Sequence, residues 1–287
     1  MADPVTSRFL LVTGASTGIG AACALGCVQR GMTVFAGLRN LQAGEALKAK
    51  AGASLIPVQL DVTNADSIKE AADVVRRTVG EAGLGGLLNN AGIAIGSPLE
   101  VIPLSQLRTQ LEVNVVGQIA VTQAMLPLLR QARGRIVNMG SIAGRGTIPM
   151  MGPYSASKFA LEALTDALRM ELRPWGIEVS IIEPGAIATP IWEKSLKTAV
   201  EVEEHVTVEG KQLYGEAARL VREAVDQVAQ RAISVDAVVE AVWHALTSVR
   251  PKTRYLVGTD ARIRAIMVKW VPDRLQDWIL MKVLKLP

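Results

Sequence analysis

The sequence predicts an α/β fold in which a doubly wound parallel sheet of about seven strands is flanked by helices on both faces. Short apolar runs alternate along the chain with longer stretches of helical periodicity, a pattern typical of strands joined by helical crossovers. Polar and glycine-rich motifs directly follow the apolar runs. Ligands of such sheets bind at the carboxyl ends of the strands, so these motifs predict a binding site along one edge of the sheet.

The predicted elements follow one another in regular order. The apolar runs predicted as strands are RFLLVT (8–13), TVFAGL (33–38), SLIPVQL (54–60), GGLLNN (85–90), RIVNMG (135–140), IEVSIIEP (177–184) and TRYLVG (253–258). Periodicity predicts helices over 18–30, 64–80, 103–130, 153–173 and 234–248. The length would allow two domains, but the continuous alternation favours one domain over 1–287.

Two segments depart from the alternation. The region 190–232 is charged, helical in character and too long for a simple connection, so we expect a lid over a substrate site. Helical spacing in the tail, 259–287, predicts two helices with apolar faces at Ile263, Ile266, Met267 and Trp270, and, after Pro272, at Leu275, Trp278 and Ile279. Packing of these faces on the lid, the cleft or another subunit is favoured; the alternative is a basic amphipathic pair resting on a membrane surface.

Charge and cysteine content narrow the class of protein. From Arg262 onward the chain holds six bases and two acids, and this segment carries the whole net charge of +4. A nucleic-acid-binding protein would show its positive charge as a stripe along a binding face, so no nucleic-acid partner is expected. Cys23 and Cys27 stand at helical spacing instead of in a Cys-x-x-Cys motif, which indicates two reduced thiols on one buried face.

No targeting segment, membrane span or metal site is predicted. The amino-terminal residues run into the first strand without the basic, apolar and small-residue regions of a signal peptide, and no apolar run reaches spanning length. We therefore expect a cytoplasmic protein, peripheral to a membrane at most. His205 and His244 are far apart and lack acidic neighbours at ligand spacing.

A glycine-rich turn follows the first strand in LLVTGASTGIGAACA (10–24). Gly14, Gly18 and Gly20 allow the backbone to approach a pyrophosphate closely, and the next helix offers free N–H groups and a favourable dipole. The turn therefore predicts a dinucleotide site; a tight turn without a ligand is the alternative.

The end of the second strand indicates which dinucleotide is bound. This position meets the adenosine ribose in dinucleotide-binding sheets, and here it carries Arg39 and no carboxylate. An acid would bind the ribose hydroxyls and repel a phosphate, whereas arginine can hold a 2′-phosphate in its fork. NADP(H) is therefore favoured, NAD(H) remains possible, and a solvated arginine without a ligand is the alternative.

An ordered series of motifs resembles the short-chain dehydrogenase/reductase family in its shorter, best-known branch. The motifs are TGASTGIG (13–20), DVT (61–63), NNAG (89–92), VNVVG (113–117), GSIAG (140–144), YSASK (154–158) and EPGAIAT (183–189). They cover roughly the first two thirds of the chain in the family's order. The resemblance implies a Rossmann-like fold and subunit interfaces built by the helices around 103–130 and 153–173, hence a homodimer or homotetramer.

The resemblance also implies a role for each matching position. The catalytic set would be Asn114, Ser141, Tyr154 and Lys158. The cofactor would be bound by Gly14, Ser16, Gly18, Ile19, Gly20, Arg39, Asp61, Val62, Asn90, Ala91, Gly92, Tyr154, Lys158, Pro184, Gly185, Ile187 and Thr189. Within this set, Asp61 and Val62 would contact adenine, and the segment 184–189 would hold the nicotinamide.

The chemistry of carbonyl reduction supports the same residues. A ketone that accepts hydride becomes an alkoxide, so an acid must deliver a proton as charge develops on the oxygen. Free tyrosine, with a pKa of about 10, holds its proton tightly, and a cation one helical turn away, Lys158, is expected to lower the pKa of Tyr154. Ser141 can donate a hydrogen bond to the substrate oxygen. The resemblance assigns Asn114 a proton-relay water; the alternative is a buried amide that kinks its helix.

The substrate is expected to be a lipophilic alcohol or ketone. The segment IAGRGTIPMM after Ser141 is largely apolar, Met150 and Met151 suit an adaptable pocket wall, and no cationic cluster is aimed at an anionic group. The segments LEALTDALRMELRPWGIEVSIIEPG (161–185) and YLVGTDARIRAIMVKWVPDRLQDWILMKVL (255–284) resemble the hydroxysteroid and retinol dehydrogenase side of the family. The rival hypothesis is a dinucleotide-binding sensor or scaffold without turnover.

Overall fold

The computed structural model describes residues 7–204 and 206–286, and it confirms the predicted parallel sheet. The seven strands are β1 (Phe9–Thr13), β2 (Thr33–Leu38), β3 (Leu55–Gln59), β4 (Gly86–Asn89), β5 (Arg135–Met139), β6 (Glu178–Pro184) and β7 (Arg254–Val257). All neighbours pair in parallel, in the order β3-β2-β1-β4-β5-β6-β7. The strand order reverses between β1 and β4, which places a ligand crevice outside the carboxyl ends of these two strands.

Helices cover both faces of the sheet. They are α1 (Gly18–Gln29), α2 (Leu41–Ala51), α3 (Ala65–Val79), α4 (Leu104–Leu111), α5 (Gly117–Ala132), α6 (Gly152–Glu171), α7 (Ile191–Glu204), α8 (Val208–Gln230), α9 (Asp236–Thr247), α10 (Thr259–Trp270) and α11 (Asp273–Val283). Successive residues of β1 point to opposite faces of the sheet. Leu10 and Val12 belong to the apolar cluster that contains buried residues of α1 and α9. Leu11 belongs to the cluster that contains buried residues of α3 and α5. Strands covered on both faces explain why the sequence shows continuous apolar runs.

The segment predicted as a helix over 103–130 is helical from Leu104 to Ala132, but it is not a regular α-helix throughout. A π-helical turn, Glu112–Val116, separates α4 from α5, and Asn114 lies in it. Gly117 follows the turn, and a Cβ on this glycine would lie 2.9 Å from the Val62 side chain. The wider turn therefore moves Asn114 inward at a place where the helix packs closely on the segment after β3.

The cysteines and His244 lie within the fold. Cys23 and Cys27 are free thiols on the buried face of α1, as predicted, and burial raises the pKa of both. Nδ1 of His244 lies 2.8 Å from the Tyr255 hydroxyl. His205 lies outside the described residues, and within 7–204 and 206–286 no group of three or more His, Cys, Asp or Glu residues that could hold a metal ion is found.

The region 190–232 forms two helices, α7 and α8, and the tail forms two more, α10 and α11. In α10 the small residues Ala261 and Ala265 are buried, whereas α11 contributes no buried residue. Several apolar side chains are instead exposed, among them Ile263, Ile266, Trp270, Leu275 and Trp278. These side chains therefore do not pack on the lid or the cleft, and their packing on another subunit stays a prediction. None of the described helices is long and apolar enough to span a membrane.

Candidate active site

One threonine hydroxyl connects the two strands at the reversal of strand order. Thr13 ends β1, and its Oγ1 accepts hydrogen bonds from the backbone N–H groups of Asn90 and Ala91, at 2.9 Å each. The Asn90 side chain donates back to the carbonyl oxygens of Thr13 and Gly14, at 3.0 and 3.2 Å. These bonds place the NNAG segment directly against the glycine-rich turn.

The glycines of the turn are required by this close approach. Gly14 and Gly18 have φ angles of 65° and 60°, which are unfavourable for residues with a Cβ. A Cβ on Gly14 would lie 2.8 Å from Cα of Ala91, and one on Gly20 would overlap the Gly14 carbonyl oxygen. Ser16 is exposed at the tip of the turn, and Ile19 packs on the core.

The start of α1 is suited to a pyrophosphate. Thr17 is its N-cap but makes no side-chain capping bond, and the first turn carries no acidic residue. The orphan N–H groups of this turn are therefore not satisfied by a cap, and they are the groups that bind phosphate at helix N-termini.

The predicted adenosine end lies at the edge beyond β2 and β3. The carboxylate of Asp61 accepts hydrogen bonds from the backbone N–H and the hydroxyl of Thr63, at 2.9 and 2.7 Å. Burial tends to raise the pKa of Asp61, but these bonds and the nearby charge of Arg39 lower it overall. Arg39 itself is exposed, so its guanidinium faces solvent at this edge. The side chain of Val62 is buried in the core, which leaves only its backbone for a cofactor contact.

Three of the four predicted catalytic residues come together after β5. Ser141 begins a short 3-10 turn and accepts a hydrogen bond from the Ala143 N–H at 3.1 Å. Ser141 lies near Tyr154 and tends to lower the pKa of its phenol. Nζ of Lys158 lies 5.7 Å from the Tyr154 ring centroid and donates to the Met139 carbonyl oxygen at 2.7 Å. The i, i+4 spacing in α6 therefore brings the phenol and the ammonium to one point.

The ionisation of this group differs from the sequence prediction. Burial raises the pKa of Tyr154, although the nearby Ser141 opposes the rise. Burial also lowers the pKa of Lys158 to about 8, against the opposing charge of Glu162. The pKa of Tyr154 is therefore raised overall instead of lowered, because desolvation of the phenolate outweighs the stabilising effects around it, and desolvation disfavours the Lys158 ammonium as well.

Asn114 holds the site together through backbone contacts. Its Nδ2 donates to the Ile93 carbonyl oxygen at 2.9 Å and to the Ser157 hydroxyl at 3.0 Å, and its Oδ1 accepts from the Ile93 N–H at 2.9 Å. A Cβ on Gly92 would lie 3.4 Å from the same Oδ1. The side chain therefore links α6 to the NNAG segment, as the kinked-helix alternative expected, and it makes no hydrogen bond to Lys158.

The segment predicted to hold the nicotinamide, 184–189, runs from the end of β6 towards the glycine-rich turn. The Gly185 N–H donates to the Val257 carbonyl oxygen at 2.9 Å, and the Ala186 N–H donates to Asp260 at 2.7 Å. Ile187 is buried in the core, so only its backbone faces the crevice. A Cβ on Gly18 would lie 3.4 Å from Cβ of Thr189, which shows how closely the two segments approach.

An apolar cavity of about 830 Å³, counting its open mouth, lies beside the catalytic group. Its walls come from the segment 94–101, from Met150 and Met151, and from α7 and α8. The lining does not include Ser141, Tyr154 or Lys158, but Met151 is the N-cap of α6, three residues before Tyr154. Met150 has a φ of 68°, a rare conformation for a residue with a side chain, and such positions cluster at functional sites.

Two residues near the site were missed by the sequence analysis. Lys194, in α7, donates to the Thr17 hydroxyl at 3.0 Å, which places a cation over the glycine-rich turn. Asp260 begins α10 and binds the segment 184–189 from the opposite side. Lys194 stands shortly after the EPGAIAT motif, but its partner Thr17 lies 177 positions away, and Asp260 lies outside every motif, so no spacing rule could find these contacts.

The family model for short chain dehydrogenases matches residues 8–200. The chain belongs to the short-chain dehydrogenase family. This short-chain dehydrogenase is therefore an oxidoreductase that acts on alcohols and carbonyl groups, and its motifs lie along the matched residues.

Relatives resemble this dehydrogenase along nearly its whole length. It is 38% identical to 17-beta-hydroxysteroid dehydrogenase type 6 of Bos taurus (95% of this chain, 87% of the relative). It is 36% identical to retinol dehydrogenase 5 of Mus musculus (99% and 91%) and 35% identical to NADPH-dependent 3-dehydrocapnine reductase of Ornithobacterium rhinotracheale (97% and 98%). A short-chain dehydrogenase of Burkholderia cenocepacia J2315, solved in complex with NADP, matches with a TM-score of 0.73 and 26% identity, over 99% of this chain and 100% of its own.

Proposed function

We propose that this dehydrogenase uses NADP(H) to interconvert a lipophilic alcohol and the corresponding ketone or aldehyde, with Tyr154 as the acid and base. The observation that carries the proposal is Lys158, which is buried one turn along α6 from Tyr154 with its Nζ 5.7 Å from the centroid of the Tyr154 ring. A chain used only as a sensor or scaffold would not need a buried lysine at this position, since burying an ammonium costs stability.

Three features of the crevice would hold the dinucleotide. The free N–H groups of α1 suit the pyrophosphate, Arg39 suits a 2′-phosphate, and the segment 184–189 suits the nicotinamide. NADPH supplies the hydride for the carbonyl carbon when it is bound. The residues of the chain then supply the proton and the position of the oxygen.

Ser141 and Tyr154 divide this task. The Ser141 hydroxyl donates to the carbonyl oxygen and fixes it beside the Tyr154 hydroxyl, which delivers its proton as the alkoxide forms. Because burial raises the pKa of Tyr154, the phenol is protonated at neutral pH, and this is the form that reduction needs. The Lys158 ammonium stabilises the phenolate that is left behind.

Tyr154→Phe tests the mechanism. Loss of the proton donor is expected to lower kcat by about 100-fold to 10,000-fold, the usual contribution of general acid catalysis. Cofactor affinity should change by less than about twofold, since one hydroxyl contributes little beside the phosphate contacts. NADPH oxidation measured against a panel of steroid, retinoid, aliphatic and aromatic carbonyls gives the rate, and fluorescence titration gives the NADPH affinity. A phenylalanine variant with full activity would contradict the mechanism, and a wild-type protein that binds NADPH but reduces nothing would favour the sensor hypothesis.

Arg39→Asp tests the cofactor preference. A charge-assisted hydrogen bond to phosphate contributes about 1.5–3 kcal/mol, so its loss and the new repulsion should shift the ratio of kcat/KM for NADPH over NADH by 10-fold or more towards NADH. Lys48→Asp is the matched control, because it makes the same charge change at an exposed position of the next helix. An unchanged ratio in the Arg39 variant would mean that this arginine is only a solvated side chain.

Ala218→Trp tests whether the apolar cavity holds the substrate. Ala218 lines the cavity from α8, so an indole there should raise KM about 10-fold for steroid-sized carbonyls, a loss of about 1.4 kcal/mol of binding. The KM for a short aliphatic ketone should stay within about twofold, because such a substrate need not enter the cavity. Gln227→Trp, at an exposed position of the same helix, is the control. Equal changes for long and short substrates would contradict the placement.

For the exposed face of the tail, we propose a membrane surface with anionic lipids as the partner. Trp270 and Trp278 are 73% and 55% exposed, and Lys269 and Lys282 lie over their rings. Aromatic side chains beside bases suit the boundary between anionic headgroups and acyl chains.

Assembly into a homodimer or homotetramer is proposed on a different surface, where Val116 and Phe159 of the central helices are exposed.

Co-sedimentation with vesicles tests the membrane contact. The full chain is expected to pellet with phosphatidylserine-containing vesicles at low salt and to remain largely in solution with phosphatidylcholine alone, because both the apolar face and its charge are needed. A Trp270→Ala/Trp278→Ala variant should pellet several-fold less. Light scattering on the same samples provides the control: the oligomeric state should not change. Negligible pelleting of the full chain, or a variant that loses its assembly, would contradict the membrane contact.

A further inference from the structure

Two buried carboxyl groups lie behind the catalytic lysine. Glu162 follows Lys158 by one turn of α6, and Glu183 is the fully buried residue before Pro184 in β6. Oε1 of Glu162 and Oε2 of Glu183 are buried and lack any hydrogen-bond partner when both groups are treated as carboxylates. Two orphan acceptors are costly in the interior, so the pair needs a proton.

One guanidinium group brings the two carboxyl groups together, because Nε of Arg254 lies 3.1 Å from Oε2 of Glu162 and 3.7 Å from Oε1 of Glu183. Burial raises the pKa of Glu162 to about 8, and a hydrogen bond with Glu183 and the charge of Glu183 contribute to the rise. Adjacent buried carboxylates cannot both ionise readily near neutral pH. One carboxyl hydrogen bond between the two orphan oxygens would satisfy both acceptors.

Arginines bind one oxygen of each carboxyl group. Arg145 donates to Oε1 of Glu183, with contacts of 2.9 and 2.8 Å, and Arg254 donates to Oε2 of Glu162 at 3.1 Å. Arg254 also lies 3.7 Å from Oε1 of Glu183 and binds Asp166 at 2.6 Å, and Asp166 in turn binds Arg169. Three arginines would balance three ionised carboxylates, so the count of charges alone does not call for a proton. The need for a proton comes from the two oxygens that no arginine reaches, Oε1 of Glu162 and Oε2 of Glu183.

The contacts join the segments that carry the proposed chemistry. Arg145 belongs to the turn that begins at Ser141, Glu162 to the helix of Tyr154 and Lys158, and Glu183 to the strand that leads into the segment 184–189. A Cβ on Gly144 would lie 3.0 Å from the Lys158 carbonyl oxygen, so the turn and the helix are already in close contact.

We propose that Glu162 and Glu183 share one proton and act as a positioning pair that controls the charge of Lys158. This inference rests on the proposed function, in which the Lys158 ammonium stabilises the Tyr154 phenolate. Neither carboxyl touches the reacting atoms. The pair acts through Lys158 and through the segments that it holds together.

The protonation state of the Glu162–Glu183 pair changes the pKa of Lys158 in one direction. While the pair holds its proton, Glu162 is neutral and burial keeps the pKa of Lys158 low. When the pair loses its proton, Glu162 becomes an anion one turn from Lys158 and raises the pKa of this lysine. Lys158 therefore stays protonated to a higher pH than it would beside a neutral Glu162.

Infrared spectroscopy of the full chain tests the shared proton without any need for turnover. At pH 7 the wild-type protein should show a protonated-carboxyl C=O band that disappears on titration through about pH 8. Glu162→Gln and Glu183→Gln should each remove the band. Glu171→Gln, which removes the same charge from an exposed position of the same helix, should keep it. Absence of the band in the wild-type protein at pH 7 would overturn the shared proton.

The pH dependence of kcat tests the link to Lys158. Glu162→Gln mimics the neutral carboxyl at every pH, so the basic limb of its profile should move to lower pH by about half a unit or more. Glu171→Gln should keep the wild-type profile. If the pH profile of Glu162→Gln coincides with the profiles of the wild-type protein and of Glu171→Gln, the pair does not control the charge of Lys158. A wild-type protein without activity towards any carbonyl would instead count against the proposed function, and the infrared band would still decide the shared proton.

Discussion

The hydroxyl of Thr13 is the interaction on which the site depends. At the reversal of strand order, β1 and β4 lead into crossovers on opposite faces, and the backbone N–H groups after β4 no longer find a neighbouring strand. Thr13 supplies the missing acceptor for two of them, at Asn90 and Ala91. This contact draws the chain after β4 against Gly14, which is why that position excludes a Cβ. The crevice for a dinucleotide is thus a consequence of satisfying backbone groups at one topological point.

Much of the fold and of the site is predictable from the sequence because both are encoded locally. Apolar runs bounded by turns mark all seven strands, since strands buried on both faces need no alternation. The crevice residues follow directly after those strands, so Gly14, Asn90, Ser141 and Gly185 occupy the predicted edge. The spacing of Tyr154 and Lys158 is also local, because one helical turn separates them whatever the rest of the chain does.

The features that were not predicted depend on partners distant in sequence. The π-helical turn exists because Asn114 satisfies the Ile93 backbone, 21 residues away, and nothing in the local periodicity reports that contact. Lys194 meets Thr17 across 177 positions. The exposure of Trp270 and Trp278 was also not predictable from the sequence, because helical spacing identifies an apolar face without identifying what covers it.

Burial governs the ionisation of the site more strongly than the pairing of residues suggests. A lysine beside a tyrosine should lower the pKa of the phenol, but here desolvation raises the pKa of Tyr154 and lowers that of Lys158. The same desolvation acts on Glu162 one turn further along α6. Tyr154, Lys158 and Glu162 are therefore driven towards their neutral forms, whereas the hydrogen bond with Arg254 lowers the pKa of Asp166 further along the same helix. A charge needed for chemistry at the first three positions must be stabilised by a nearby partner. A site built in this way responds to a change of charge at one position through its neighbours on the helix.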